Sequence, residues 1–146
     1  MKTNERRRYT FAVALVAISA LATTACSSDS QGGSDADVTV TLRDFTVQAS
    51  PTSVPSGQLT FAGTNTGGVV HEMEVFSVPD GIDPNTLPVD SGVADVAELG
   101  LIDEVEDIAP GTDAELSIDL EPGTYALLCN LPGHYEQGMH TTITVR

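Results

Sequence analysis

Residues 129–139 constrain the chain more than any other part of its sequence. The stretch reads Cys-Asn-Leu-Pro-Gly-His-Tyr-Glu-Gln-Gly-Met, so a thiol, an imidazole and a thioether recur with four residues between each. The proline and glycines between them favour turns, which allow Cys129, His134 and Met139 to face one point. A thiolate, an imidazole and a thioether are ligands that suit copper. The stretch lacks a second nitrogen ligand, which we expect His71 to supply.

The first 25 residues have the pattern of a secretory signal. Three arginines at positions 6–8 precede an apolar run over residues 11–22, which is too short to span a bilayer stably. Small residues then lead to Cys26, and the Cys-Ser-Ser-Asp sequence resembles a bacterial lipoprotein processing site, although Thr23 stands where a large aliphatic residue is usual. We therefore expect lipid on Cys26, with ordinary secretion as the alternative. The expected location is the extracytoplasmic face of the cell membrane.

The count of cysteines bears on the chemistry of Cys129. The sequence has two cysteines, and lipid on Cys26 would leave Cys129 as the one thiol of the folded domain. A single thiol in an oxidising compartment cannot close an internal disulfide. A metal ligand, a reactive nucleophile and an intermolecular bridge remain open on this count alone, and the residues after Cys129 favour the metal ligand.

Short alternating segments predict an all-β domain. Residues 26–36 are polar and rich in Gly and Ser, which indicates a flexible tether from the lipid anchor, and residues 37–146 form the predicted domain. Within it, runs such as 38–42 and 58–62 alternate with period two and end at Pro, Gly or Asn. We predict an antiparallel Greek-key β-sandwich of seven or eight strands. The insert around residues 80–101 is expected to be irregular or to contain one or two helical turns over 93–101.

Charge limits the possible partners. After the signal, the chain retains two basic residues against 20 acidic ones. Nucleic acid and anionic lipid headgroups are poor partners for so acidic a surface, whereas a basic protein is a favourable one. We expect a basic or membrane-bound redox protein as the partner and a monomeric chain.

The sequence resembles the cupredoxin family, which includes plastocyanin and azurin. The resemblance extends over residues 38–146 and depends on Asn65-x-Gly67…His71, Pro122-Gly123-Thr124-Tyr125, Cys129, Pro132-Gly133-His134 and Gly138-Met139. It implies a β-sandwich that holds one type 1 copper ion through His71, Cys129, His134 and Met139. A site of two histidines and a cysteine with a weak axial methionine is typical of copper used for electron transfer.

The resemblance also implies roles for residues beside the ligands. Many members have Asn after the first histidine ligand, where Glu72 stands here, and a contact between Glu72 and Asn130 is expected to tie the loop in its place. The resemblance further implies an apolar docking patch around His134, formed by Leu131, Pro132 and Tyr135. His140 is expected to point away from the metal, and Met73 to fill the core.

Single-electron shuttling between redox partners is the function that these features favour. The alternative is a copper carrier or storage protein without redox turnover, although the domain has no methionine-rich stretch. An enzyme is not expected, because the further copper sites of copper enzymes need additional histidines and only His140 remains.

Overall fold

Strands make up most of the regular structure in the computed structural model, which describes residues 35–146. The predicted signal, Cys26 and most of the tether lie outside the described residues. Among residues 35–146, no helix has the length and apolar character needed to cross a lipid bilayer. The strands are β1 (Val38–Arg43), β2 (Thr46–Ser50), β3 (Ser53–Val54), β4 (Gly57–Asn65), β5 (His71–Val78), β6 (Val89–Asp90), β7 (Val93–Ala94), β8 (Gly100–Ile108), β9 (Asp113–Leu120), β10 (Gly123–Leu128) and β11 (His140–Val145), and a 3-10 turn covers Tyr135–Gln137.

Two main sheets form the sandwich, and β6 and β7 form a small sheet of their own. One main sheet has the strand order β2-β1-β4-β9 and the other β3-β11-β10-β5-β8. Eight of the strands have five residues or more, which confirms the predicted all-β sandwich. Two pairings, β1 with β4 and β3 with β11, are parallel rather than antiparallel. The β1–β4 pairing is parallel because the chain visits the other sheet as β3 before it returns beside β1.

The core lies between the sheets. The residues that form it recur with a period of two along each strand. In β4, every second residue from Leu59 to Asn65 is buried, while the residues between them are partly exposed. Successive side chains of a strand point to opposite faces, so one face of each strand supplies the core. Met73 on β5 is 1% exposed and belongs to this core, as predicted.

The insert after β5 packs on the outer face of the larger sheet. Its apolar side chains Leu87, Ala94 and Leu99 form a second cluster with Phe76 and Leu128 from the sheet. The insert is irregular, as expected, but the predicted helical turns over residues 93–101 are wrong. The chain instead turns tightly between β6 and β7, where Ser91 and Gly92 have φ of 55° and 86°. Positive φ at both central residues is the requirement of a type I′ hairpin turn, which continues into strands rather than a helix.

Strand β8 is the edge of the larger sheet, since it pairs with β5 alone in the strand order. It contains much of the acidic run that the sequence places after residue 80, and it exposes Asp103, Glu104, Glu106 and Asp107. These acidic side chains are exposed on both faces of the strand, whose pairing with β5 contains irregularities.

Glu74 is a buried carboxyl group on the outer face of the same sheet. It lies opposite Glu104 of β8, is 9% exposed, and its Oε2 atom has no hydrogen-bond partner within residues 35–146. Burial raises the pKa of Glu74 to about 8, and the negative charges of Glu72 and Glu104 act in the same direction. The folded protein therefore holds a proton on Glu74 at pH values where the unfolded chain has lost it.

This proton makes a pH-dependent contribution to stability. Because the folded pKa of about 8 exceeds the ordinary value of 4.5, the free energy of unfolding falls as pH rises between these two values. The Glu74→Gln variant should be more stable than the wild type by on the order of 2 kcal/mol at pH 8, and by little at pH 5. Urea unfolding across this pH range measures the difference, with Glu115→Gln, an exposed change on β9, as the control. Parallel pH profiles for wild type and Glu74→Gln would contradict a buried, protonated carboxyl group.

Candidate metal centre

Two of the predicted site residues are brought to one end of the sandwich by two neighbouring strands. His71 is the first residue of β5, and Cys129 follows directly after β10, which pairs with β5. The loop after Cys129 is closed by its own main chain, since the Cys129 N–H donates to the Met139 carbonyl at 3.1 Å. The Met139 N–H in turn donates to the His134 carbonyl at 3.1 Å. These bonds hold the loop in a compact shape that returns directly into β11.

The donor atoms converge as the spacing predicted. Cys129 Sγ lies 3.2 Å from His134 Nδ1, and His134 Nδ1 lies 3.3 Å from His71 Nδ1. One donor atom from each of these three residues lies within 4.8 Å of the other two. Met139 is fully buried and close to the three, and its main chain bonds to Cys129 and His134. All four residues that the sequence predicts as ligands therefore lie close together.

Burial sets the protonation of the three nearest donors. It raises the pKa of the Cys129 thiol to about 11 and lowers the pKa of His71 and of His134. Both imidazoles are therefore neutral at neutral pH and have a lone pair free for a metal. A thiol becomes a thiolate when a metal ion coordinates it, whereas burial without a cation opposes the charge. Two neutral imidazoles, a buried thiol and a thioether fit a soft transition-metal ion such as copper.

The contact expected between Glu72 and Asn130 is present, through the main chain of Asn130. Glu72 Oε1 accepts the Asn130 N–H at 2.7 Å, and the Glu72 N–H points to Cys129 Sγ at 3.4 Å. The Asn130 side chain bonds instead to the insert, accepting from the Ala94 N–H at 2.8 Å and donating to its carbonyl at 3.1 Å. Residue 72 therefore fixes the chain beside the thiol, and residue 130 fixes the insert beside the loop.

Tyr135 does not belong to a docking surface. It is 4% exposed, and its hydroxyl donates to the Pro84 carbonyl at 2.7 Å and accepts from the Leu87 N–H at 3.0 Å. The 3-10 turn directs the Tyr135 ring inward against the insert. Side chains that alternate along an extended loop would not predict this direction. Of the three residues predicted for the patch, Pro132 is exposed and Leu131 is partly exposed.

Phe45 is a neighbour of the site that the sequence did not reveal. Its ring packs edge-on against His134 with the ring centroids 5.4 Å apart. Phe45 is partly exposed and lies in the turn between β1 and β2, with a positive φ of 65°. Its distance along the chain from the four predicted ligands left no local signal for this contact.

Asn65 fixes the approach to His71. It is fully buried, and its Nδ2 atom donates to the carbonyls of Val69 and Ile108, each at 2.8 Å. Its Oδ1 atom accepts the Gly67 N–H at 2.9 Å. The Asn-x-Gly spacing singled out in the sequence therefore corresponds to a buried side chain that shapes the loop before His71.

His140 lies outside the group of donor atoms, in agreement with the direction expected from its position after Met139. Its ring stacks on Tyr135 with the centroids 4.5 Å apart, and its Nδ1 atom is 3.2 Å from Asn85 Oδ1. Asp44 is a further residue missed by the sequence patterns; its Oδ1 atom lies 3.4 Å from His71 Nε2.

Solved structures of copper proteins share this fold. A reduced auracyanin from the photosynthetic bacterium Roseiflexus castenholzii matches at 20% identity and a TM-score of 0.53, over 74% of this chain and 94% of its own. Auracyanin A, described as a "blue" copper protein of Chloroflexus aurantiacus, matches at 21% identity and a TM-score of 0.50, over 75% and 98%. Rusticyanin from Thiobacillus ferrooxidans matches at 16% identity and a TM-score of 0.51, over 74% and 76%. At these identities the likeness concerns the fold.

Comparison at the level of sequence gives the family. No curated protein matches the chain. The family model described as the cupredoxin-like domain matches residues 13–145, which is most of the chain. Together with the sandwich and its gathered sulfur and nitrogen donors, this match shows that the chain belongs to the cupredoxin-like domain family.

Proposed function

We propose that the protein carries single electrons on one type 1 copper ion. His71, Cys129 and His134 would hold the ion most strongly, and Met139 would add a weaker thioether ligand. The observation that carries the proposal is the convergence of one buried thiol and two neutral imidazoles within 4.8 Å of one another. This donor set, with a thioether beside it, is the one that electron-transfer copper sites use.

The chain supplies a fixed set of ligands. Bound there, copper supplies one-electron chemistry between Cu(II) and Cu(I). Cys129 and His71 are held by paired strands, and the loop that bears His134 is closed by main-chain hydrogen bonds. Ligands that cannot rearrange much keep the structural cost of each electron transfer low. The sandwich therefore contributes rigidity, and the donor set contributes the redox chemistry.

Copper loading tests the proposal directly. Wild-type protein with one equivalent of Cu(II) should give the intense blue or green absorption of a copper–thiolate bond, and a reductant and an oxidant should remove and restore it reversibly. Cys129→Ser should abolish the colour, because it removes the thiolate. His140→Gln should keep it and serves as the histidine control. Wild-type protein that stays colourless would refute the proposal, and tight copper binding without reversible cycling would favour the carrier or storage function.

Partner docking is proposed at the surface beside His134. Leu131, Pro132 and the edge of Phe45 supply apolar contact there, and Tyr135 is excluded by its burial. Two further apolar side chains, Val69 and Val70, are 44% and 39% exposed just before His71. Small apolar contact areas combined with long-range charge attraction suit short-lived encounters. The excess of acidic residues favours a basic partner, such as a basic or membrane-bound redox protein.

A charge placed in this patch should slow electron exchange. Leu131→Asp should reduce the second-order rate with a basic redox protein about tenfold, as expected if roughly 1.4 kcal/mol of encounter stability is lost. The copper absorption should not change. Leu101→Asp is the matched control, because Leu101 is 50% exposed on β8 and pairs with Phe76, five residues along β5 from His71. Stopped-flow kinetics at several salt concentrations measure the electron-exchange rates of both variants. Equal rates for the two variants would contradict the proposed docking patch.

We further propose that the mature chain begins at Cys26 as a lipid-anchored monomer at the outer face of the cytoplasmic membrane, without catalytic activity. Two or more acyl chains give stable anchoring, where one is marginal. Cys26→Ser should therefore release the protein from the membrane fraction while the copper colour is retained. Cell fractionation after expression in a bacterium that processes lipoproteins measures this, and equal membrane retention of both forms would contradict the anchor.

A further inference from the structure

One nitrogen of His71 is buried without a hydrogen bond. His71 is fully buried, and its Nε2 atom has no hydrogen-bond partner within the described part of the chain. Its other nitrogen, Nδ1, faces His134 and the thiol. If Nδ1 donates its lone pair to a metal, the proton of the neutral imidazole must sit on Nε2. A buried N–H group then needs an acceptor.

Among residues 35–146, the carboxylate placed to serve as that acceptor belongs to Asp44. Its Oδ1 atom is 3.4 Å from His71 Nε2, beyond the usual length of a hydrogen bond but within the range of an ion pair. The same oxygen accepts the Gly68 N–H at 2.8 Å, so the carboxylate is anchored beside the imidazole. Asp44 occupies the turn between β1 and β2, and its side chain is 45% exposed on the solvent side.

Gly67 makes room for this approach. A Cβ atom at residue 67 would overlap the Asp44 carboxylate, and it would lie 2.9 Å from both the Asp44 main-chain nitrogen and His71 Nε2. Any other residue at this position would therefore occupy the gap between the carboxylate and the imidazole. The absence of a side chain at Gly67 is what allows Asp44 and His71 to face each other.

We propose that Asp44 is a positioning residue that orients His71 and tunes the metal it binds. This inference extends the proposed copper site. The carboxylate holds the ring with Nε2–H toward Asp44 and Nδ1 toward the other ligands, through the attraction between the N–H dipole and the negative charge at 3.4 Å. Carboxylates on the far nitrogen of a ligating histidine fix its tautomer and raise its basicity.

The sign of the effect on the metal follows from charge. A negative group beside a ligand stabilises Cu(II) more than Cu(I), because the oxidised ion carries the larger positive charge. Asp44 should therefore strengthen Cu(II) binding and lower the reduction potential.

A purely structural role for Asp44 makes a different prediction. In that role Asp44 only accepts the Gly68 N–H and holds the loop. Asparagine retains an oxygen that can accept this bond, but it removes the charge. Asp44→Asn therefore separates the two roles: it leaves the loop in place and changes the metal only if the carboxylate acts on His71.

The experiment compares Asp44→Asn with Asp119→Asn in the full chain. Asp119 is exposed on β9 opposite Gln58, seven residues along β4 from Asn65, so this variant makes the same change in net charge far from the site. Asp44→Asn should lower Cu(II) affinity about 10- to 100-fold. Cu(I) affinity should fall less, and each tenfold difference between the two corresponds to a potential about 59 mV more positive. Competition titrations and redox potentiometry measure these quantities, and a potential equal to that of Asp119→Asn would overturn the inference.

A second experiment tests the contact between Asp44 and His71 without any metal. In wild-type apoprotein, ¹⁵N NMR of the imidazoles should show His71 with its proton on Nε2, slow to exchange and shifted by the carboxylate. Asp44→Asn should move that resonance and speed its exchange, and Gly67→Ala, which displaces the carboxylate, should do the same. An unchanged His71 resonance in both variants would overturn the contact. A wild-type protein that binds no copper, yet shows these NMR changes, would refute the copper function and leave the Asp44–His71 contact standing.

Discussion

The structure depends on holding a buried thiol against one buried imidazole, that of His71, and one half-buried imidazole, that of His134. Each group loses hydration on burial, and in the metal-free protein that burial raises the pKa of Cys129 and lowers the pKa of both histidines. A cation reverses the balance for the thiol, because it stabilises the thiolate that burial disfavours. The sandwich gathers these groups through the pairing of β5 with β10, whose ends lie side by side. The stability of the framework therefore offsets the cost of burying groups whose charged or lone-pair forms a metal ion would stabilise.

The loop and the insert form one connected support for this site. Glu72 binds the main chain of Asn130, the Asn130 side chain binds Ala94, and Tyr135 binds the main chain at Pro84 and Leu87. Residues on both sides of His134 are thus attached to a segment that shares no strand with the main sheets. The insert contributes no proposed metal ligand, but it limits the freedom of the loop that contributes His134 and Met139.

Much of the fold and site could be predicted because the deciding signals are local. Alternation with period two marks β1 and β4, and the equal spacing of Cys129, His134 and Met139 marks the loop. The features that the sequence did not predict involve contacts between residues far apart in the sequence. The apolar patch implied by the family resemblance included Tyr135, whereas a 3-10 turn directs this side chain into the second cluster. The helical turns expected over residues 93–101 are replaced by β7, a turn and the start of β8, because pairing with β6 and with β5 outweighs weak local preference. Asp44 and Phe45 reach the site only through the turn between β1 and β2, which no spacing in the sequence reveals.

Strand β8 has a consequence for the behaviour of the protein in concentrated solution. An unpaired edge of nine residues offers main-chain groups to which a neighbouring molecule can add a strand. Four acidic side chains exposed along that edge bring like charges together whenever two copies align, so repulsion opposes growth into aggregates. High ionic strength screens this repulsion. The colloidal stability of the protein therefore depends on the salt concentration as well as on the fold.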